Sequence, residues 1–161
     1  VRQQLDILNI SFNGNISAKQ PLAHAVKKAV QHGLLLVTSA GNNGRPTGGG
    51  DTIQLPARLS LPIAVGALTH RNNRAPFSAA GSKLDICAPG VKILSTFPNN
   101  RLARLSGTSM AAAHVTGVAA LLKQAHPNAN SLQLKRMLKR QAVRMPGTLG
   151  KVGVGLVQYR G

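Results

Sequence analysis

The stretch Gly107-Thr108-Ser109-Met110-Ala111-Ala112-Ala113-His114-Val115-Thr116-Gly117 sets a hydroxyl between a glycine and a long run of small apolar residues. From Met110 to Leu122 the run predicts a helix, from about Thr108 to Gln124, that is central and buried on nearly every side. A serine at the start of such a helix holds its hydroxyl at the positive end of the helix dipole. Its own N–H is one of the first-turn donors that the helix leaves unpaired. One residue can then supply both an attacking oxygen and a donor for the oxyanion that the attack creates. Gly107 in front of it would let the backbone of a substrate come close. Taken alone, the segment also suits a Ser or Thr that merely caps a core helix, so the rest of the chain has to decide.

Other motifs follow in order along the chain. Ser11-Phe12-Asn13-Gly14 and Ala40-Gly41-Asn42-Asn43-Gly44 each follow an apolar run. Leu55-Pro56-Ala57, Ile63-Ala64-Val65-Gly66-Ala67, Phe77-Ser78, Asp85-Ile86-Cys87-Ala88-Pro89-Gly90 and Gly153-Val154-Gly155-Leu156 occupy the remainder. In this order the motifs resemble the subtilisin-like serine protease (subtilase, peptidase S8) family, and they cover what is similar to the C-terminal half of its catalytic domain. The resemblance implies that Ser109 is the acyl-forming nucleophile and Asn42 the side-chain amide donor of the oxyanion hole. It implies that Ser11, Phe12, Asn13 and Gly14, with Ser39, Ala40 and Gly41, wall the main specificity pocket. Two residues depart from the family pattern. Asn13 stands where a small pocket residue is usual, narrowing the entrance or adding a polar contact, and Ala113 replaces a Pro before the histidine.

The resemblance also implies a triad in the order Asp, His, Ser, with the first two in Asp-[Ser/Thr]-Gly and His-Gly-Thr motifs. Neither motif occurs here. Asp6, Asp51 and Asp85 stand in other contexts, and so do His24, His32 and His70. His24, His32 and His126 read as exposed. Five residues along a helix turn through about 140°, so the His114 ring is expected to point away from Ser109, as a buried, hydrogen-bonded packing histidine. Without a base Ser109 is an ordinary alcohol, and the chain by itself is expected to be inactive. An α/β-hydrolase order fails because no acid follows Ser109. A dinucleotide fold fails because Gly153-x-Gly155 lacks a third glycine and a following helix. The family often binds structural Ca²⁺, but the relevant loop offers one acid, Asp51, and no other cofactor is implied.

These residues need a frame. Leu5 to Ser11 reads as a strand ending in the turn Asn13-Gly14-Asn15. A helix opens at Pro21 and stops at Gly33, and Leu34 to Val37 is a covered strand. Strand, helix, strand over this length is one right-handed crossover and hence a mostly parallel sheet. A glycine-rich loop from Gly41 to Gly50 comes next. Leu61 to Leu68 and Leu84 to Ala88 add strands. Ile93 to Thr96 and Leu102 to Leu105 flank Pro98-Asn99-Asn100 as a hairpin. Ser131 is expected to cap a last helix through about Ala142, basic on its exposed face at Lys135, Arg136, Lys139 and Arg140. The fold class is α/β, a three-layer subtilisin-like architecture of which residues 1–161 are one partial domain. Val1-Arg2-Gln3-Gln4 opens directly into a strand, as if cut from the middle of a fold. Loss of the first part of a parallel sheet would expose a strand edge, so an N-terminal half or partner chain is expected to cover it.

Charge bounds the partners. Twenty Lys plus Arg oppose three Asp and no Glu, a formal charge of +17. Such a field attracts acidic partners, nucleic acid or anionic lipid, unless absent sequence supplies the compensating acids. With one Tyr, three Phe and no Trp, stacking platforms for specific nucleic-acid binding are lacking. Cys87 is alone, so no intrachain disulfide forms. No apolar stretch reaches membrane-spanning length, and family resemblance favours a secreted or periplasmic setting. Three roles remain open: the distal part of a peptidase whose Asp and His come from elsewhere, with apolar or broadly accepted side chains at the cleavage site; a catalytically dead subunit that acts as a basic structural or binding component of an assembly; or a fragment without a role of its own.

Overall fold

The computed structural model describes residues 5–14, 19–145 and 149–161; the expectations for Val1–Gln4 and Asn15 lie outside them. Four apolar runs form β1 (Ile7–Ile10), β2 (Leu35–Ser39), β3 (Ile63–Leu68) and β4 (Ile86–Pro89). They pair in the order β1-β2-β3-β4, each pair parallel, with Ile7 opposite Leu35, Val37 opposite Ile63 and Val65 opposite Ile86. Every residue of β2 and β3 is buried, as parallel strands covered on both faces must be.

Alternation along the strands divides the core in two. Leu35, Val37, Ile63, Val65, Ile86 and Ala88 point to one face. There they meet the inner side of α2 (Thr108–Ala125) at Ala111, Ala112, Val115, Ala119 and Leu122, and α3 (Ser131–Gln141) at Leu134 and Leu138. Ala64, Leu68 and Cys87 point to the other face, against Ile53, Ala57, Ala79, Leu84 and Val152; Val152 ends the short α4 (Leu149–Val152). The alanines of α2 let it lie close across all four strands, where large side chains would hold it off. β5 (Ile93–Phe97) and β6 (Arg101–Leu105) form the expected antiparallel hairpin, with Asn99 and Asn100 at positive φ in its turn.

Several expectations need correction. α2 is buried on one side only: Ala113, His114, Gly117, Ala120 and Leu121 are exposed, because nothing among the described residues packs on that side. The first helix, α1, spans Lys19–Gln31 and takes Pro21 as its third residue, still inside the first turn where a missing N–H costs nothing. Ser131 does not cap α3. Asn130 does, its side chain accepting from Gln133 N–H (2.9 Å) while the Gln133 side chain accepts from Asn130 N–H (2.8 Å). The basic face of α3 is also narrower than expected. Lys135 and Lys139 turn inward to Asp85, at 3.2 and 2.9 Å, and leave Arg136 and Arg140 exposed.

Candidate active site

Ser109 is the second residue of α2, and Gly107 precedes the helix in extended conformation. The first helical N–H, that of Thr108, finds its acceptor across the fold: it donates to Asn42 Oδ1 at 2.9 Å. Thr108 Oγ1 donates to the same oxygen at 3.0 Å and accepts from Gly41 N–H at 3.2 Å. Two donors on Oδ1 fix which end of the Asn42 amide faces the helix. Its Nδ2 is therefore turned to the opposite side, where it has no acceptor among the described residues. It stands over Gly107: a Cβ there would sit 3.3 Å from Asn42 Nδ2. Ser109 N–H likewise donates to no acceptor among the described residues, as its place in the first helical turn dictates. Hydroxyl and amide, 67 residues apart, thus flank the same helix start with two N–H donors left over.

The Ser109 hydroxyl is not idle. It donates to the backbone carbonyl of Ser11 at 2.7 Å, and Ser11 Oγ donates back to the Ser109 carbonyl at 3.1 Å. A peptide carbonyl takes a hydrogen bond but will not take the proton, so this contact orients the hydroxyl without activating it. Beyond Ser11 the chain runs beside the end of β2. Asn13 Nδ2 donates to Ser39 Oγ at 2.9 Å, and Gly14 N–H donates to the Leu55 carbonyl at 3.2 Å. Ser39, Ala40 and Gly41 are buried, whereas Phe12 is 57% exposed. The residues singled out from sequence therefore come together: Ser11 at Ser109, Asn13 at Ser39, and Gly41 and Asn42 at Thr108. Thr108 is the functional residue that the motifs alone do not single out; its place between Gly107 and the serine is the available signal, since an Oγ there can serve two neighbours at once.

A cavity of about 460 Å³ opens beside the hydroxyl, lined by Ser11, Ile93, Leu94, Ser109, Met110 and His114 among others. His114 lies on this exposed side of α2, which corrects the expectation that it is buried. It is hydrogen-bonded, but to its own helix: Nδ1 donates to the Met110 carbonyl at 2.9 Å. His24, His32, His70 and His126 are exposed. The three acids hold cations elsewhere: Asp6 pairs with Lys123, Asp51 with Arg58, and Asp85 with Lys135 and Lys139. No group of three or more His, Cys, Asp or Glu gathers among the described residues. The other carboxylate oxygen of Asp51 accepts from Ile53 N–H.

An alcohol at a helix start, with two N–H donors beside it that are unpaired among the described residues, stands on a parallel α/β frame. Residues 1–155 match the model of the subtilase family, and the chain belongs to that family. It is 42% identical over 153 residues to subtilisin BL of Lederbergia lenta, an alignment that takes in 95% of this chain and 54% of the relative. M-protease of Shouchella clausii is also 42% identical, over 95% of this chain and 38% of its own length. Among solved structures, a protease from Pseudoalteromonas arctica superposes with a TM-score of 0.84 at 30% identity, over 94% of this chain and 48% of the other. The chain thus spans about half the length of the relatives it matches, or less.

Proposed function

We propose that Ser109 is the nucleophile of a serine endopeptidase, that Asn42 Nδ2 and Ser109 N–H form its oxyanion hole, and that the acid and base of the triad lie outside the described residues. One observation carries the reading: the Thr108 clamp brings Ser109 and Asn42 to one helix start with both N–H donors unused among the described residues. Peptide bonds would be cleaved through an acyl-Ser109 intermediate. The segments Ser11–Gly14 and Ser39–Gly41 would receive the side chain next to the scissile bond. The base would enter through the cavity beside Ser109, displacing the hydroxyl from the Ser11 carbonyl, on a segment or partner chain that also covers β1. Family resemblance supports a secreted or periplasmic setting and a peptide or protein substrate.

A fluorophosphonate probe tests the proposal. Protein in which the base is present should label at Ser109, and Ser109→Ala should abolish both labelling and turnover, a loss on the order of 10⁶-fold, as in subtilisin. The isolated chain should cleave no generic peptide substrate. Robust Ser109-dependent cleavage by that chain would overturn the external base. A second reading, a catalytically dead basic subunit, draws on the +17 charge; failure of the full-length protein to label would favour it.

A further inference from the structure

We infer that the C-terminal end of α3 carries a second site, independent of Ser109, that binds an acidic polypeptide segment through Arg140 and Arg144. A cavity of about 520 Å³ lies there, walled by Lys139, Arg140, Arg144, Met145, Val152 and Val154 with neighbouring residues. Its volume falls within the range of ordinary ligand sites. Arg140 and Arg144 are exposed and make no ion pair or hydrogen bond among the described residues. Guanidinium forks left unpaired around one hollow suit carboxylates, which they engage two hydrogen bonds at a time.

The local charge favours an anion. Lys135, Lys139, Arg140 and Arg144 face one carboxylate, Asp85, which already holds both lysines. The free carbonyls at the end of α3 add roughly half a negative charge. On the order of two positive charges therefore remain uncompensated.

The walls are also held in place. Val143 exchanges backbone hydrogen bonds with Leu156 in both directions, at 2.8 and 2.9 Å, which fixes the chain immediately before Arg144. The opposite wall approaches Asp85 and Val143 so closely at Gly153 and Gly155 that a Cβ at either would run into their backbone. Such supports fix the backbone from which the two arginines project, so a ligand has only their side chains to order.

The same observations choose the ligand. The uncharged lining is aliphatic (Ala142, Met145, Val152 and Val154) and offers no aromatic face on which a base could stack. It fits the methylene stems of Glu and the backbone of a peptide.

The experiment is fluorescence anisotropy of a labelled Glu-rich octapeptide, titrated with the full chain at about 150 mM salt, where screening falls off over about 8 Å. Arg140→Gln with Arg144→Gln should weaken binding by about tenfold or more. A control pair on α1, Lys27→Gln with Lys28→Gln, removes the same charge from exposed positions and should change it by less than about twofold. Ser109→Ala should bind like the parent, which separates this result from the fate of the peptidase reading. Equal losses in both double variants would reduce the effect to net charge and overturn the site. So would an absence of peptide binding, or tighter binding of a single-stranded oligonucleotide with the same dependence on Arg140 and Arg144.

Discussion

The two edges of the sheet are finished differently. At the β4 edge the chain returns and closes the ladder: Cys87 N–H donates to Gly155, Val157 N–H donates to Cys87, and Val143 pairs with Leu156 beyond. Lys135 and Lys139 lock α3 to the same edge through Asp85. At the β1 edge no strand follows among the described residues. Leu5, Leu8 and Phe12 are 52%, 37% and 57% exposed, and on the α2 face beside them Leu121 is 45% exposed. An open, apolar parallel edge is a surface that proteins cover. Ser109 sits between the two regimes. Helix start, Thr108 and Asn42 hold it from the finished side, and from the open side the Ser11 carbonyl and hydroxyl reach it. On the proposed reading, one part of a domain builds the nucleophile and its oxyanion donors, and the base would arrive from the part that covers the other edge.

The comparison can be broken or sharpened by experiment. The largest contrast should be between neighbours on α2. Leu122→Ala, on the buried face, should cost about 2–5 kcal/mol, whereas Leu121→Ala, on the open face, should stay within about 0.5 kcal/mol in this chain. Urea denaturation measures both, and a large cost at Leu121 would mean that the open face is already packed. Next comes Asn42→Ala, assayed in whatever form of the protein labels at Ser109. Turnover should fall by about 10²–10³-fold, the figure known for the corresponding donor in subtilisin, with about 1 kcal/mol of stability lost as Thr108 N–H loses its acceptor.

Cys87 reports on the closed edge. Burial raises its thiol from the ordinary 9.0 to about 12, so the folded chain stays protonated where the unfolded chain ionises. The contribution is complete below pH 9 and is lost as the pH rises from about 9 towards 12. The slope can reach about 1.4 kcal/mol per pH unit. Urea midpoints across that window should fall more steeply in the parent than in Cys87→Ala, and parallel curves would show the edge to be open to solvent. The smallest effect on stability, below about 1 kcal/mol, should come from Asn13→Gly, which removes the bond from Asn13 to Ser39. In labelling-competent protein it should move preference towards larger side chains beside the scissile bond; unchanged preference would place Asn13 outside the specificity pocket.

Much of this was legible in the residues. Continuous apolar runs marked β2 and β3, because a strand covered on both faces leaves no polar position. Gly107-Thr108-Ser109 with Ala40-Gly41-Asn42 named the two halves of the site before any distance was known. The errors share one cause. The apolar run of α2 predicts burial all round, His114 included, because apolar composition reports what a surface can pack against, not whether anything is there. Asn130 and Ser131 are both able to cap a helix, and only the exchange with Gln133 chose between them. The lysines of α3 looked solvent-facing because Asp85 is distant in sequence.

By itself the sequence determined the family and the parallel sheet, and through the family's motifs it singled out Ser109 and Asn42 as the candidate nucleophile and amide, since motifs and strand runs depend on residue type and local order. Tertiary structure decided where the Ser109 proton points, which way the Asn42 amide faces, that Lys135 and Lys139 are spent on Asp85, and that Arg140 and Arg144 are unpaired among the described residues. Each of those outcomes depends on which groups meet across tens of residues, and periodicity along a chain carries no record of such meetings.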